Sequence, residues 1–123
     1  MAIRLKRVYD APALEDGVRV LVERLWPRGL SKERAAVDTW VKDLAPSTEL
    51  RRWYGHDESR WAEFRLRYRT ELREKPEALA ALRRLAAAGP VTFVFASRET
   101  ERNSAAVLRE VVEEGTGHRE RPA

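Results

Sequence analysis

Apolar positions along the chain predict three strands. From Ile3 to Val8 apolar residues alternate with basic ones, which indicates a strand with one solvated face. After the turn-forming residues of Tyr9 to Gly17, the run from Val18 to Leu25 is β-branched and mostly apolar, as in a more central strand. Val91 to Ala96 follows a Gly-Pro stop and is almost continuously apolar, so we expect a buried strand in the middle of a parallel sheet.

Apolar residues at steps of three and four predict two long helices between these strands. The clearest helical pattern runs from Asp57 to Glu74, with Asp57 as its cap. Pro76 fits the first turn of the next helix, which Gly89-Pro90 ends. The apolar face of the first helix consists of Trp61, Phe64, Tyr68 and Leu72.

Capping residues mark three further helices. Ser31 and Ser47 each precede a short helical segment and can accept a hydrogen bond from its first turn. Thr100 or Asn103 opens a last helix, which Gly115 closes.

The stretch from Asp38 to Leu44 fits either a short strand or an irregular connection, although residues 39–41 favour extended structure. The element order β-β-α-(β)-α-α-α-β-α then predicts a small single-domain α/β fold. We expect a sheet of about three to four strands, at least partly parallel, flanked by helices. The domain is predicted to span residues 1–115, and residues 116–123 to form a disordered C-terminal tail.

Composition narrows the chemistry that this domain can perform. The chain has no cysteine, which excludes disulfides, iron–sulfur clusters, thiolate zinc sites and cysteine nucleophiles. It has no glycine-rich phosphate loop and no dinucleotide fingerprint, so we predict no cofactor and no metal. No apolar run approaches the roughly 20 residues of a membrane span. The basic residues near the N-terminus are unlike a signal peptide, so we expect a cytoplasmic protein.

The net charge of +4 and the isoelectric point near 9.8 indicate a mildly basic surface. The basic residues are spread along the chain without a nucleic-acid-binding motif, so nucleic acid is not the favoured partner. Arg65, Arg69 and Arg73 do recur at a spacing of four on the long helix. They form either a solvated face, offset by carboxylates or an external anion, or a nucleic-acid-binding stripe.

Basic and polar residues follow the predicted strands at the edge where ligands bind in open α/β sheets. Arginine presents a planar donor fork that suits carboxylate or phosphate groups, so these residues predict a pocket for a small anion. The candidate ligand-binding residues are Arg24, Trp26, Arg28, Lys32, Ser47 and Arg51. The alternative is that Arg24 and Arg28 pair with Asp38, Asp43 or Glu33 and that the serines only cap helices.

The pair His56-Asp57 raises the possibility of acid–base or metal chemistry. A metal site needs three or four convergent ligands, and the second histidine, His118, lies in the predicted tail. A structural role for the pair is therefore favoured. If the protein is an enzyme, His56 and Asp43 are the best candidates for proton transfer.

The chain carries four motifs that are recognisable together. They are Lys6-Arg7-Val8-Tyr9, Asp16-Gly17, Val20-Leu21-Val22-Glu23-Arg24-Leu25-Trp26-Pro27-Arg28-Gly29-Leu30-Ser31-Lys32 and Trp40-Val41-Lys42-Asp43-Leu44-Ala45-Pro46-Ser47. With these motifs the chain resembles, from about Ile3 to Val112, the bacterial YeaO-like family, a domain of unknown function. The resemblance implies a small cytoplasmic α/β protein and brings no reaction, substrate or cofactor. The chain departs from the family pattern at Glu23, where aspartate is expected, and at residues 96–99, so Ser97 and Arg98 are left out of the candidate site.

The leading hypothesis is a protein that binds a small anion bearing a phosphate or carboxylate. A nucleic-acid-associated module is the second hypothesis. The third is a protein–protein adaptor with an exposed apolar patch around Trp26 or Trp53. Whether the protein is an enzyme, and in which oligomeric state it acts, are left open.

Overall fold

The structure of the protein is a computed structural model that describes residues 2–118. Within that range it contains four strands and five α-helices, joined by short loops and 3-10 turns. In chain order they are β1 (Ile3–Arg7), β2 (Val18–Leu21), α1 (Lys32–Ala35), β3 (Thr39–Trp40), α2 (Thr48–Tyr54), α3 (Trp61–Arg73), α4 (Pro76–Ala88), β4 (Val91–Phe95) and α5 (Ser104–His118).

The four strands form one parallel sheet in the order β1-β4-β2-β3. The last strand of the chain, β4, therefore lies between the first two. Ile3 and Val18 both face Val91 across the sheet, and Val20 pairs with Thr39 on its other side. The predicted α/β class is confirmed, as is the central position of the Val91–Phe95 strand.

The two faces of the sheet carry cores of unequal size, because successive strand residues point to opposite sides. On one face, Val20, Phe93 and Phe95 pack against the apolar sides of α2 to α5. The opposite face has a smaller core that includes α1. It consists of Val8, Leu21, Leu30, Ala35 and Val94, with Trp26, Val37 and Trp40 packed against it.

The capping predictions agree with the structure. The side chains of Ser31 and Ser47 accept hydrogen bonds from the first turns of α1 and α2, and Asn103 does the same for α5. Pro76 begins α4. Asp57 caps a 3-10 turn, Glu58–Arg60, that leads into α3, so the predicted long helix starts with a tighter turn.

Two further element boundaries differ from the prediction by three or more residues. Strand β2 ends at Leu21, four residues before the predicted end, because the Glu23 carboxylate accepts the Ala96 N–H and interrupts the backbone ladder. Helix α5 continues through Gly115 to His118. The predicted tail from residue 119 onward lies outside the described residues.

A buried ion pair holds the amino-terminal edge of the sheet. Asp16 and Arg19 are both almost fully buried, with 2.7 Å between carboxylate and guanidinium, and Lys6 contacts the same carboxylate at 3.1 Å. Arg19 also donates two hydrogen bonds to the Ala35 carbonyl, which fixes the end of α1. Burial alone would raise the pKa of Asp16, but the Ala13 N–H and the two cations outweigh it and lower this pKa below its ordinary value.

We expect Gly17→Ala to destabilise the protein more than Gly29→Ala. Both glycines have positive φ, so each substitution costs about 1–2 kcal/mol of backbone strain. A Cβ at Gly17 would lie 2.2 Å from the Pro90 carbonyl oxygen, whereas one at Gly29 meets nothing within 4 Å. The clash should add about 1–3 kcal/mol, measurable by urea unfolding. Equal losses would show that the approach of Gly17 to Pro90 relaxes without cost.

The lowered pKa of Asp16 predicts an acid-sensitive fold. A carboxylate whose pKa is lower in the folded state stabilises the protein above its unfolded pKa of about 3.9 and loses that effect as pH falls through the folded value. Asp16→Asn should cost about 3–5 kcal/mol at pH 7, because Arg19 is left buried without a counter-charge. The variant should also lose less stability than wild type between pH 5 and pH 2, measured by urea unfolding. Parallel pH profiles for the two proteins would contradict this assignment.

Candidate functional site

A cleft of about 480 Å³ opens at the carboxyl-terminal edge of the sheet. Its walls come from the segments that follow β3 and β4, from α2, and from the starts of α3 and α5. The lining residues are Pro46, Thr48, Arg51, Arg52, Tyr54, His56, Glu58, Trp61, Phe64, Ser97, Glu99, Arg102, Asn103 and Ser104.

Three arginines provide the positive charge of the cleft. Arg51 and Arg52 lie on α2, and Arg102 lies in the loop before α5. Within residues 2–118, their guanidinium groups form no hydrogen bond or ion pair. Glu58 and Glu99 line the same cleft, so the arginines exceed the carboxylates by one.

Aromatic rings form the apolar wall of the cleft. The rings of Tyr54 and Phe64 are 4.6 Å apart, and those of Trp61 and Phe64 are stacked at 5.5 Å with 23° between their planes. Tyr54 and Trp61 are half-buried, whereas Phe64 and the adjoining Tyr68 lead into the core. Partial burial raises the pKa of Tyr54, which keeps its hydroxyl neutral.

The loop after β4 is held by its own hydrogen bonds. The Ser97 side chain accepts the Glu99 N–H, and the Glu99 carboxylate accepts the N–H groups of Glu101 and Arg102, which lowers the Glu99 pKa. The buried Asn103 donates its amide to the Glu99 carbonyl while its oxygen caps α5. This loop therefore presents Arg102 from a fixed backbone.

The Glu23 residue ties the ends of three strands together. Its carboxylate accepts the Ala96 N–H just after β4 at 2.9 Å, and its carbonyl accepts the indole N–H of Trp40 in β3 at 2.6 Å. Burial raises the pKa of Glu23, whereas the Ala96 N–H and the charge of Arg51 oppose the shift. Glu23 thus links the sheet edge electrostatically to an arginine of the cleft.

Side chains from distant elements hold residues 43–47, which we call the entry segment because they lead into α2. Arg24 donates to the carbonyls of Ala45 and Pro46 at 3.0 and 3.1 Å. Glu71 of α3 accepts both the backbone N–H and the hydroxyl of Ser47, at 2.9 and 2.6 Å.

The carbonyls of Asp43 and Leu44 in the entry segment also receive side-chain donors. Lys75 donates to the Asp43 carbonyl, and the buried Tyr68 hydroxyl donates to the Leu44 carbonyl. Every carbonyl from residue 43 to residue 46 is therefore bound, which fixes the start of α2 and the position of its arginines.

The structure separates the candidate ligand-binding residues. Arg51 lines the cleft, and Ser47 lies at its edge as the cap of α2. The donors of Arg24 are bound to carbonyls, and Trp26 donates to the Leu30 carbonyl within the smaller core. The exposed Arg28 lies between β2 and α1, the exposed Lys32 is the first residue of α1, and neither lines the cleft.

Other sequence candidates also divide between cleft and scaffold. His56 lines the cleft with a positive φ of 59°, directly after Gly55 at 54°, whereas Asp43 is exposed and does not line it. Ser97 lines the cleft, and Arg98 does not. The alternative in which Arg24 pairs with a carboxylate is wrong, because its guanidinium donates to backbone carbonyls of the entry segment instead.

Sequence reasoning did not propose several of the cleft residues as site candidates, among them Arg52, Tyr54, Trp61 and Arg102. Tyr54 and Trp61 belong to helical apolar stripes, which predict core packing and give no sign of a half-exposed wall. Arg102 could have been found, because it follows the strand β4 on the loop that opens the last helix.

The arginine stripe of α3 is paired with acidic residues of α5. Arg65 and Arg69 both bind Glu110, at 2.8 and 3.3 Å, and Arg69 also binds Glu114. The same contacts lower the pKa of Glu114. The expectation that carboxylates offset this stripe is confirmed.

Both tryptophans named for an adaptor surface have partners within the fold. Arg60 and Arg67 lie over the ring of Trp53, and Trp26 packs edge-on against Trp40. Among the described residues, no cluster of acidic and histidine side chains could hold a metal, and no helix has the length and apolarity of a membrane span.

The chain matches, over residues 2–123, the protein family described as "Inactive DUF488-N3 subclade". It is 46% identical over 110 residues to an uncharacterised protein of Mycobacterium tuberculosis, covering 89% of this chain and 92% of that protein. It is 41% identical over 108 residues to the uncharacterised protein YeaO of Escherichia coli, covering 88% and 94% of the two chains. No solved structure matches it.

We expect Arg24→Ala to destabilise the protein and Arg28→Ala to leave its stability nearly unchanged. The first variant strips charged donors from two carbonyls and should cost about 1–3 kcal/mol of unfolding free energy. The second makes the same charge change at an exposed side chain and should stay within about 0.5 kcal/mol. Urea unfolding compares the two, and equal effects would contradict a structural role for Arg24.

Proposed function

Because the chain belongs to the YeaO-like family, a domain of unknown function, we propose from its own geometry that it binds a small anionic ligand in the cleft. The ligand carries a phosphate or carboxylate group. The observation that supports this most directly is that Arg51, Arg52 and Arg102 line one cleft and that, within residues 2–118, their guanidinium groups make no hydrogen bond or ion pair.

Several other arginines of the protein do have a bonded partner within the structure. Arg19 donates to a buried carboxylate and Arg24 donates to backbone carbonyls. Arg65 is paired with a glutamate. A guanidinium without such a partner keeps its planar donor fork available for the two oxygens of a carboxylate or phosphate.

The cleft favours an anion but only modestly, since two carboxylates share it with the arginines. The Glu99 carboxylate is bound to N–H groups of its own loop and also interacts electrostatically with Arg102. Glu58 would repel an anion that lies close to it, so we place the anionic group between Arg51 and Arg102.

We propose binding in preference to catalysis, and the cytoplasm as the location. The description of the matching family calls that subclade inactive, which supports a binding role for this chain. Of the two proton-transfer candidates, His56 lines the cleft and Asp43 does not, so His56 is the residue to which any acid–base role would fall.

The test compares two double variants that each remove two positive charges. Arg51→Ala/Arg102→Ala removes two of the three arginines of the cleft, whereas Arg28→Ala/Lys32→Ala removes two exposed cations from the β2–α1 connection and the first turn of α1. Binding is measured by thermal shift and calorimetry with inorganic phosphate, ribose 5-phosphate and adenosine 5′-monophosphate. At about 100 times its Kd, a ligand should stabilise the wild type by about 2.7 kcal/mol.

We expect the cleft variant to lose at least about tenfold in affinity, equivalent to 1.4 kcal/mol, and the control variant to bind like the wild type. The reverse result would move the anion site to the β2–α1 connection. Wild-type protein that binds none of these anions would overturn the proposal.

A further inference from the structure

Resting on the proposed function, we infer that the ligand of the cleft carries a flat aromatic ring beside its anionic group. Arginines stand on α2 and on the loop before α5, and the rings of Tyr54, Trp61 and Phe64 form the wall next to them. The cleft therefore offers two different recognition surfaces side by side.

The aromatic wall continues a row of packed aromatic rings that begins in the core. Tyr68 is fully buried, its ring centre lies 5.9 Å from that of Phe64, and Phe64 stacks with Trp61 at 5.5 Å. Each step has the spacing of a favourable aromatic pair. Trp61 is the last ring of this row and lines the cleft. Part of its surface is exposed there, which leaves space for one more ring to pack against it.

The neighbouring tryptophan provides a contrast. Trp53 is also half-buried and lies one residue from Tyr54, but the guanidinium groups of Arg60 and Arg67 lie 5.3 and 4.2 Å from its ring centre. Its face is therefore already covered by cations, and it does not line the cleft. Within the described residues Trp61 has no such cation over its ring, so the two tryptophans differ in what they offer a ligand.

A ringless anion would use only half of this site. Inorganic phosphate or a sugar phosphate can bind the arginines but leaves the aromatic wall in contact with water. A ring placed against Trp61 removes apolar surface from water on both partners and adds stacking, which in nucleic-acid-binding proteins strengthens binding by about tenfold or more per base. Nucleotides and aromatic carboxylates share this chemistry.

The experiment compares anions that differ only by the ring, using calorimetry on the full chain. Adenosine 5′-monophosphate is compared with ribose 5-phosphate, and phenylacetate with acetate. The first pair reports a nucleotide as the source of the ring, and the second an aromatic acid. We expect the ring-bearing member of at least one pair to bind about tenfold or more tightly than its ringless partner.

Two tryptophan variants locate the ring. Trp61→Leu should reduce the advantage of the ring-bearing anion to less than about threefold, and the matched change Trp53→Leu should leave it intact. Because Trp61 also packs on the core, Trp61→Phe serves as the folded counterpart and should keep most of the advantage. Circular dichroism and urea unfolding confirm that each variant is folded.

The possible failures are distinct. Ring-bearing and ringless anions that bind equally would overturn the aromatic inference and leave the anion site standing. Equal losses in Trp61→Leu and Trp53→Leu would also overturn it, since the ring would not lie on the cleft wall. Absence of binding by every probe would overturn the proposed function and this inference together.

Discussion

The position of β4 is the constraint on which the rest of the structure depends. Strands β1 and β2 do not pair with each other; each pairs with β4, whose five residues are all buried. A strand that comes last in the sequence must therefore enter between the two that come first. The sheet is not complete until β4 is added, after α2, α3 and α4. These helices form the connection that a parallel arrangement of strands needs. The close approach of Gly17 to Pro90 belongs to the same constraint, because β2 and β4 start side by side.

The position of β4 between β1 and β2 also determines which residues meet at the carboxyl-terminal edge of the sheet. Strand β2 lies between β4 and β3, so a residue just after the end of β2 can reach both neighbouring strands. Glu23 binds the β4 side through its carboxylate and the β3 side through its carbonyl. Arg24 then binds the entry segment, and Glu71 and Tyr68 of α3 bind it from the other side. Scaffold contacts of this kind hold rigid the helix that carries Arg51, and a rigid frame lowers the entropic cost of ligand binding.

Several arginines bind backbone carbonyls of the protein itself. Arg7 donates to the carbonyls of Ala96 and Ser97 beyond β4, and Arg83 of α4 donates to two carbonyls of α5. The donors of these arginines are therefore bound within the fold. A high isoelectric point is thus compatible with a protein in which several cations bind its own backbone, and it is weak evidence for a nucleic-acid partner.

The sequence by itself determined the class of fold, helices α3 and α4, the caps at Ser31, Ser47 and Asn103, and the buried central strand. These features depend on residues close together in the chain, where apolar spacing and capping act directly. Only the tertiary structure decided which cations are available. Arg24 and Arg51 look alike in sequence, but the partners of Arg24 lie 21 and 22 residues away, and those of Arg65 and Arg69 lie more than 40 residues away. Whether an arginine is consumed by the fold or faces a cleft depends on such long-range contacts, and no local pattern encodes them.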